Sequence, residues 1–370
     1  MDWKERLRRL NNIAMPKFHA LKIKEVRRET DECVTVAFEV PESLKPEYRF
    51  TQGQHLTLKT ELGGEEVRRS YSICASPYDG VLRVVIKKLE GGRFSTFANE
   101  KLRAGDTLDV MTPMGRFFTE LNPANEKQYV AFAAGSGITP VLSIMKAVLQ
   151  REPKSEFTLF YGNRRADTII FHEEIEGLKN EYMGRLSVHH VLSRELQGSG
   201  LFSGRIDAEK CSAFCDKLID PEEVDEYFLC GPEAMIHDIR DTLTALGVDK
   251  SKIHFELFIA GLNGKAQKKK EKEKAQSVEA HIRITLDGNS FEFPLTSGKD
   301  TILEAAQKAG AALPFACKGG VCCTCRAKLM EGEVEMDVNY ALEPEEVAAG
   351  YILTCQSHPK TERVVVDFDS

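Results

Sequence analysis

Four thiols fall within nine residues, Cys317-Lys-Gly-Gly-Val-Cys322-Cys323-Thr-Cys325, and Cys355 follows after 29 intervening residues. Cys317, Cys322 and Cys325 give the spacing C-x4-C-x2-C, which with a distant fourth cysteine matches the ligand pattern of a [2Fe–2S] cluster. The reason is geometric. A two-iron rhomb needs two thiolates at each iron, a tight loop converges three of them, and a remote segment supplies the fourth. Gly319 and Gly320 let the loop backbone approach the sulfides and aim N–H groups at them. A zinc site also takes four ligands, but it favours paired knuckles at both ends, and Cys355 has no such neighbour. A disulfide knot fits poorly. The segment MDWKERLRRLNN is basic with no apolar stretch behind it, so it does not read as a secretory signal. The expected location is cytoplasmic, where thiols stay reduced. Cys323 has no slot in the cluster scheme and reads as a small buried residue beside the loop.

The 370 residues suffice for two or three domains. No run of about 18 apolar residues occurs, so no membrane partner is expected. Residues 265–274, KAQKKKEKEK, hold six Lys, two Glu and no large apolar side chain, which reads as a solvated linker. The interleaved Glu dilutes the positive field and argues against a nucleic-acid patch. Upstream, FHALKIKEVRRE, CVTVAFEV, HLTLKTEL, RRSYSICA, VLRVVIKKL and DTLDVMTP are short alternating runs between turn residues, as in an antiparallel barrel or sandwich. From about residue 127, YVAFAA, FTLFYGN, LSVHHVL and EYFLCGP alternate with helical runs, which indicates a parallel sheet covered by helices. The expected domains are 15–123, 124–260 and 279–370, with 261–278 as linker. Residues 279–370 carry 15 Asp/Glu against 8 Lys/Arg, so the net charge of −7 lies there, and the other 42 acids and 42 bases cancel. An acidic segment of this kind suits docking on a basic partner, although it also aids solubility.

The C-terminal 90 or so residues resemble plant-type ferredoxin, with CKGGVCCTC and LTCQSHP where that family places its ligands. The resemblance implies a β-grasp fold with Cys317, Cys322, Cys325 and Cys355 on the cluster. Cys323 departs from the Gly or Ser more usual beside the second ligand. A cluster moves single electrons whereas a nicotinamide delivers two, and flavin converts one into the other; the β-rich unit is therefore expected to hold flavin. In RRSYSI, strand alternation puts Arg69 and Tyr71 on one face and Ser70 and Ser72 on the other. In GGRFSTF a glycine turn precedes a helix start suited to a pyrophosphate. In AAGSGITP, Gly135 and Gly137 follow an apolar strand, with Thr139 expected as N-cap and Pro140 in the first helical turn. Each pattern alone is common in ordinary strands and turns.

Together these motifs resemble the ferredoxin–NADP reductase superfamily. The resemblance implies FAD on a Greek-key barrel, with Arg69 at its phosphates and Tyr71 and Ser72 at its ring and side chain. Gly92 and Ser95 match the second phosphate motif. Gly135, Gly137, Thr139 and Pro140 match the nicotinamide-nucleotide loop. Cys230 and Gly231, in CGP, are implied to lie beside the nicotinamide, and Glu256 and Phe258, in HFELF, to cover the flavin. The strand ending Tyr161-Gly-Asn-Arg164-Arg165 lacks the acid expected for a ribose, and LSRE offers Ser193 and Arg194 to a 2′-phosphate. NADPH is therefore expected, with NADH as the alternative. The order barrel, nucleotide sheet, linker, ferredoxin resembles the reductase components of multicomponent oxygenases. It implies electrons for a di-iron oxygenase acting on an aromatic CoA thioester, docked on the acidic unit. A different acceptor (hydroxylase, desaturase or haem protein) keeps the same electron chain, and a redox sensor with a degenerate flavin fold is the non-enzymatic reading.

Overall fold

A computed structural model describes residues 16–196, 198–258 and 278–370. The MDWKERLRRL segment and the basic run 265–274 lie outside the described residues. Phe18–Phe258 packs as one compact unit, and the residues from 278 onward belong to a second.

The first half of the larger unit is an antiparallel sheet. Its strands are β1 (Phe18–Thr30), β2 (Cys33–Glu39), β3 (His55–Leu62), β4 (Glu65–Ser72), β5 (Leu82–Lys87) and β6 (Thr107–Met111). They lie in the order β4-β3-β6-β1-β2-β5, and a bridge between Ile73 and Val84 joins the two edges, closing a barrel. Leu21, Ile23, Val34, Val36, Leu56, Leu58, Val84 and Ile86 fill it. Helix α1 (Arg93–Glu100) adds Phe94 and Ala98 to that core.

The second half is a parallel sheet of β7 (Gln128–Ala134), β8 (Glu156–Asn163), β9 (Leu186–Leu192), β10 (Glu226–Gly231) and β11 (Ile253–Leu257). Its order is β11-β10-β7-β8-β9, so the chain winds one way from β7 and back the other way from β10. Helices α2 (Ile138–Arg151), α3 (His172–Glu181), α4 (Ala208–Lys217) and α5 (Glu233–Ala245) connect the strands. The reversal between β7 and β10 is a topological switch point, where doubly wound sheets open a ligand crevice beyond their strand ends. Helix α4 is not among the helical runs legible in the sequence; Asp207 caps it, accepting from the Lys210 N–H at 3.0 Å.

Polar contacts tie barrel to sheet. Arg83, on β5, donates to both oxygens of Glu174, on α3, at 2.6 and 2.7 Å. Lys146, on α2, pairs with Glu174 at 2.9 Å and with Asp79 at 2.6 Å. Burial works against the Glu174 charge, yet Arg83 and Lys146 hold its carboxyl below the usual range. Ser143, on α2, donates to Ala75 O at 2.6 Å and accepts from the Gly53 N–H at 3.2 Å.

The second unit pairs β12 (Glu279–Leu286), β13 (Asn289–Thr296), β14 (Arg326–Glu331), β16 (Tyr351–Leu353) and β18 (Arg363–Asp367) in the order β13-β12-β18-β14-β16. In β12 alternate residues Ala280, Ile282, Ile284 and Leu286 face the core. Helix α6 (Ile302–Lys308), opened by a Thr301–Glu304 capping box, covers that face with Ile302, Leu303 and Ala306. A small ladder, β15 (Val334–Met336) with β17 (Ser357–Pro359), and the short helix α7 (Pro344–Ala348) complete it. A mixed sheet grasping one helix is the β-grasp arrangement. Among the described residues no helix is long and apolar enough to cross a membrane.

Candidate redox sites

The cluster loop folds as its glycines require. Gly320 has φ +76°, and a Cβ there would sit 3.1 Å from Val338 O, so any side chain would press on the neighbouring backbone. The side chains of Cys317 and Cys322 interact with each other, as do those of Cys325 and Cys355. Neither pair is a disulfide. The Cys317 thiol is held below the usual range by its contact with Cys322, against burial, with help from the N–H groups of Gly319, Val321 and Cys322. Cys355 is held down by Cys325, again against burial, and the Gln356 amide donates to its Sγ at 3.4 Å. Cys325 and Cys322 are pushed up by those same partners and by burial. Gln356 also donates to Lys318 O at 3.0 Å, which ties the fourth cysteine to the loop carrying the first three.

Two thiol pairs are what two irons require. Among the described residues the one trio of metal-ligating atoms within 4.8 Å of one another lies elsewhere, at His172, Glu176 and His190. A lone zinc ion would draw its thiolates to about 3.8 Å apart, for bonds near 2.3 Å. The four cysteines therefore fit a [2Fe–2S] group. Cys323 stands outside this set: it is half-buried, adopts φ +54°, and its thiol donates to Ala341 O at 3.1 Å.

In the larger unit Tyr71, Ser72 and Glu256 meet at the end of β4, Gly135, Gly137, Cys230 and Gly231 meet at the switch point, and Ser193 and Arg194 lie beyond the edge strand β9. Tyr71 packs against Phe94, with ring centroids 5.8 Å apart, and burial raises its phenol. On the other face Ser70 meets Thr57 at 3.1 Å. Ser72, at the strand end, donates to Glu256 Oε2 at 3.1 Å. Arg69 donates to Arg68 O at 2.6 Å. Gly92 is the N-cap of α1, where an added Cβ would lie 2.4 Å from Ser95 Oγ. Ser95 is buried and its hydroxyl closes the turn, accepting from the Leu89 N–H at 3.1 Å and donating to Gly92 O at 3.3 Å. An anion there would meet the first-turn N–H groups of α1.

Glu256 lies opposite Cys230 in the β10–β11 register. Burial pushes its carboxyl up to about 7, against the lowering effect of the Ser72 hydrogen bond. Burial, and then the Glu256 charge, hold the Cys230 thiol well above its usual range. Sequence reasoning misses His55. It stands opposite Ser72 on β3, with Nδ1 4.0 Å from Glu256 Oε1. Its buried Nε2 has no hydrogen-bond partner among the described residues, and burial pushes the imidazole down to about 4. Within the alternating run HLTLKTEL nothing distinguishes it from a core position. An orphaned imidazole nitrogen beside a buried carboxyl fits a bound heterocycle with polar edges, and FAD supplies one.

The nucleotide loop differs from its expectation in one detail. Thr139 is not the N-cap of α2. Gly135–Gly137 forms a 3₁₀ turn running straight into the helix, so Gly137 is the cap and Thr139 is the second helical residue, donating to Ser136 O at 2.9 Å. Pro140 is in the first turn, as expected. Gly135 has φ +55°, and Tyr161 donates to its carbonyl at 3.0 Å. A Cβ on Gly137 would sit 2.1 Å from Cys230 O and 2.9 Å from Gly231 N, so the loop presses directly on the end of β10. Gly231 is less tightly closed: its would-be Cβ lies 2.6 Å from the flexible Met235 Cε and 3.2 Å from Ala134 N. Ser193 and Arg194 follow β9, their N–H groups bonded to Asn163 O and Arg164 O at 2.9 Å each. Phe258, 36% exposed, is the last described residue of the larger unit.

A closed antiparallel barrel beside a doubly wound sheet, with a thiol-bearing β-grasp unit on the same chain, defines an electron-transferring flavin and iron–sulfur reductase. Family models agree: an oxidoreductase FAD-binding domain matches residues 20–119, an oxidoreductase NAD-binding domain 132–241, and a 2Fe-2S iron-sulfur cluster binding domain 284–360. The chain is 46% identical to a subunit of the 1,2-phenylacetyl-CoA epoxidase of Escherichia coli (strain K12), over 96% of this chain and 99% of that protein. It is 30% identical to the ferredoxin reductase component of the 3-ketosteroid-9-alpha-monooxygenase of Rhodococcus rhodochrous, over 94% and 96% of the two chains. Phthalate dioxygenase reductase shares its fold, with TM-score 0.57 and 24% identity, over 95% of this chain and 98% of that one. A ferredoxin NADP+ reductase from Neisseria gonorrhoeae with bound FAD and NADP matches 65% of this chain and 98% of its own, with TM-score 0.55 and 25% identity. The chain belongs to the ferredoxin-reductase-type NAD(P)H oxidoreductases that form the reductase components of oxygenase systems.

Proposed function

We propose that this chain draws electrons from NADPH and delivers them singly to the oxygenase component of a phenylacetyl-CoA epoxidase, in the cytoplasm. Bound flavin takes two electrons together and releases them one at a time, and a [2Fe–2S] cluster carries one. Everything else falls to the protein. Arg69 and the Gly92 end of α1 hold the flavin phosphates, Ser95 fixes that turn, and Tyr71, Ser72 and Phe258 border the ring. Gly135, Gly137, Thr139 and Pro140 shape the loop that receives the nicotinamide nucleotide. Cys230 and Gly231, pressed against that loop, set how closely the nicotinamide approaches, because nothing larger than glycine fits at position 137. Glu256, whose carboxyl burial pushes up to about 7, can hold a proton beside Ser72 as the site changes charge. Cys317 and Cys322 hold one iron, and Cys325 and Cys355 the other. Residues 15–123, 124–260 and 279–370 are read as the three domains, with 261–278 as tether.

The two thiol pairs carry this reading, since neither a hydrolase nor a plain flavin enzyme has use for them. Similarity to the E. coli epoxidase component over nearly the whole of both chains supports the acceptor. The acidic balance of residues 279–370 supports docking through that unit. The preference for NADPH rests on Ser193 and Arg194 and on the missing acid after β8. It is tested by kcat/KM with each nucleotide: Arg194→Gln should raise the KM for NADPH about tenfold and leave that for NADH unchanged. Equal efficiency with NADH in the unaltered protein rejects the preference. The acceptor is tested by mixing NADPH-reduced protein with purified oxygenase components. Similarity to a ketosteroid monooxygenase reductase favours a second acceptor class, and faster cluster reoxidation by that class would replace the first.

A further inference from the structure

We propose that the larger unit binds one borderline divalent transition ion, of the zinc class, through His172, Glu176 and His190. None of the three is among the residues assigned above to flavin and nicotinamide. His172 and Glu176 are four residues apart on α3 and so share one helix face. His190 faces them from β9. One donor atom from each residue lies within 4.8 Å of the other two. His190 Nε2 stands 3.5 Å from Glu176 Oε1, close to the roughly 3.3 Å edge of a tetrahedron with bonds near 2.0 Å. The His172 and His190 rings are 5.6 Å apart and inclined at 53°, so they are not stacked on each other and their nitrogens can converge.

The state of His190 is the second observation. Both its ring nitrogens are buried; Nδ1 has no hydrogen-bond partner among the described residues, and Nε2 has only the 3.5 Å contact with Glu176 Oε1. Coordination at Nε2 would replace that long contact with a full-strength bond. Lys179 is the competing cation, at 3.0 Å from Glu176 Oε2 and 3.3 Å from Oε1. An ion taking Oε1 leaves Oε2 to the lysine. Two imidazoles and one carboxylate without a thiolate suit zinc or nickel better than a soft monovalent ion, and they offer too few oxygens for calcium or magnesium. An ion here would clamp α3 onto β9. Glu174, two residues before Glu176, makes the Arg83 contact that ties barrel to sheet, so the clamp would steady that junction.

The test titrates the flavin- and cluster-loaded protein with Zn²⁺ by calorimetry, beside His190→Gln and His172→Gln variants. Flavin content and NADPH oxidation in zinc-free buffer verify that each variant is folded, and His172 is exposed, so its replacement leaves the core intact. The expected result is one equivalent of Zn²⁺ bound, with at least a tenfold loss of affinity in each variant and loss of the zinc-dependent rise in melting temperature. Absence of binding to the unaltered protein, or variants that bind as tightly as it does, overturns the proposal.

Discussion

Replacing Glu256 by Gln should make the larger unit more stable at neutral pH, by an amount the structure bounds. Glu256 is only 16% exposed, and burial lifts its carboxyl from an ordinary 4.5 to about 7. The folded state therefore binds the proton more tightly than the unfolded state. The corresponding stability is present below the unfolded value and is lost as pH rises to the folded value, after which it stays flat. The rise from 4.5 to about 7 is worth about 3 kcal/mol in full, and about 2 kcal/mol of it falls between pH 5.5 and 8. Gln keeps an amide oxygen that can accept from Ser72 Oγ and has no charge to bury. The assay is chemical denaturation of flavin-depleted protein, followed by circular dichroism, with wild type and Glu256→Gln compared at each pH so that other groups cancel. The difference in favour of Gln should widen by about 2 kcal/mol from pH 5.5 to pH 8 and then stop. A difference that is constant with pH, or that narrows, would show Glu256 to be an ordinary exposed carboxylate and would remove it as a proton store.

Gly137→Ala places a methyl 2.1 Å from the Cys230 carbonyl, where only backbone can give way. Flavin reduction by NADPH should fall about 100-fold in kcat/KM, with cluster content unchanged in the visible spectrum. Glu174→Ala strips Arg83 and Lys146 of a shared acceptor. A loss of about 2 kcal/mol, between the values for exposed and buried pairs, should appear as a lower melting temperature of the larger unit. Gly320→Ala, at φ +76° against Val338, should lower iron content while flavin content holds.

The strands, most of the helices and the cluster loop are legible in the sequence because each rests on local chemistry. Alternation along VLRVVIKKL and HIRITLDG, glycine turns after apolar strands and the spacing of thiols leave their mark within a few residues. What escapes depends on distant partners. Arg83 and Glu174 meet across 91 positions of sequence, and no periodicity in either segment signals it. His55 looks like one more residue of an alternating strand, and only the fold sets it beside Glu256. The expected Thr139 cap fails for a different reason. Capping rules look for a polar side chain, whereas here Gly137, ending a 3₁₀ turn, does the work with backbone alone. Helix α4 escapes notice because AEKCSAFCDK buries only Cys211, Phe214 and Cys215, too narrow a stripe to stand out.

The most direct measurement is an anaerobic titration of the purified chain with NADPH, with iron and acid-labile sulfide assayed on the same sample and on a Cys355→Ser variant. The account predicts about two irons and two sulfides per chain, and flavin bleaching followed by the spectrum of a reduced cluster. In the variant it predicts flavin bleaching alone. A chain that carries flavin but no iron, or a cluster that survives intact without Cys355, would contradict it.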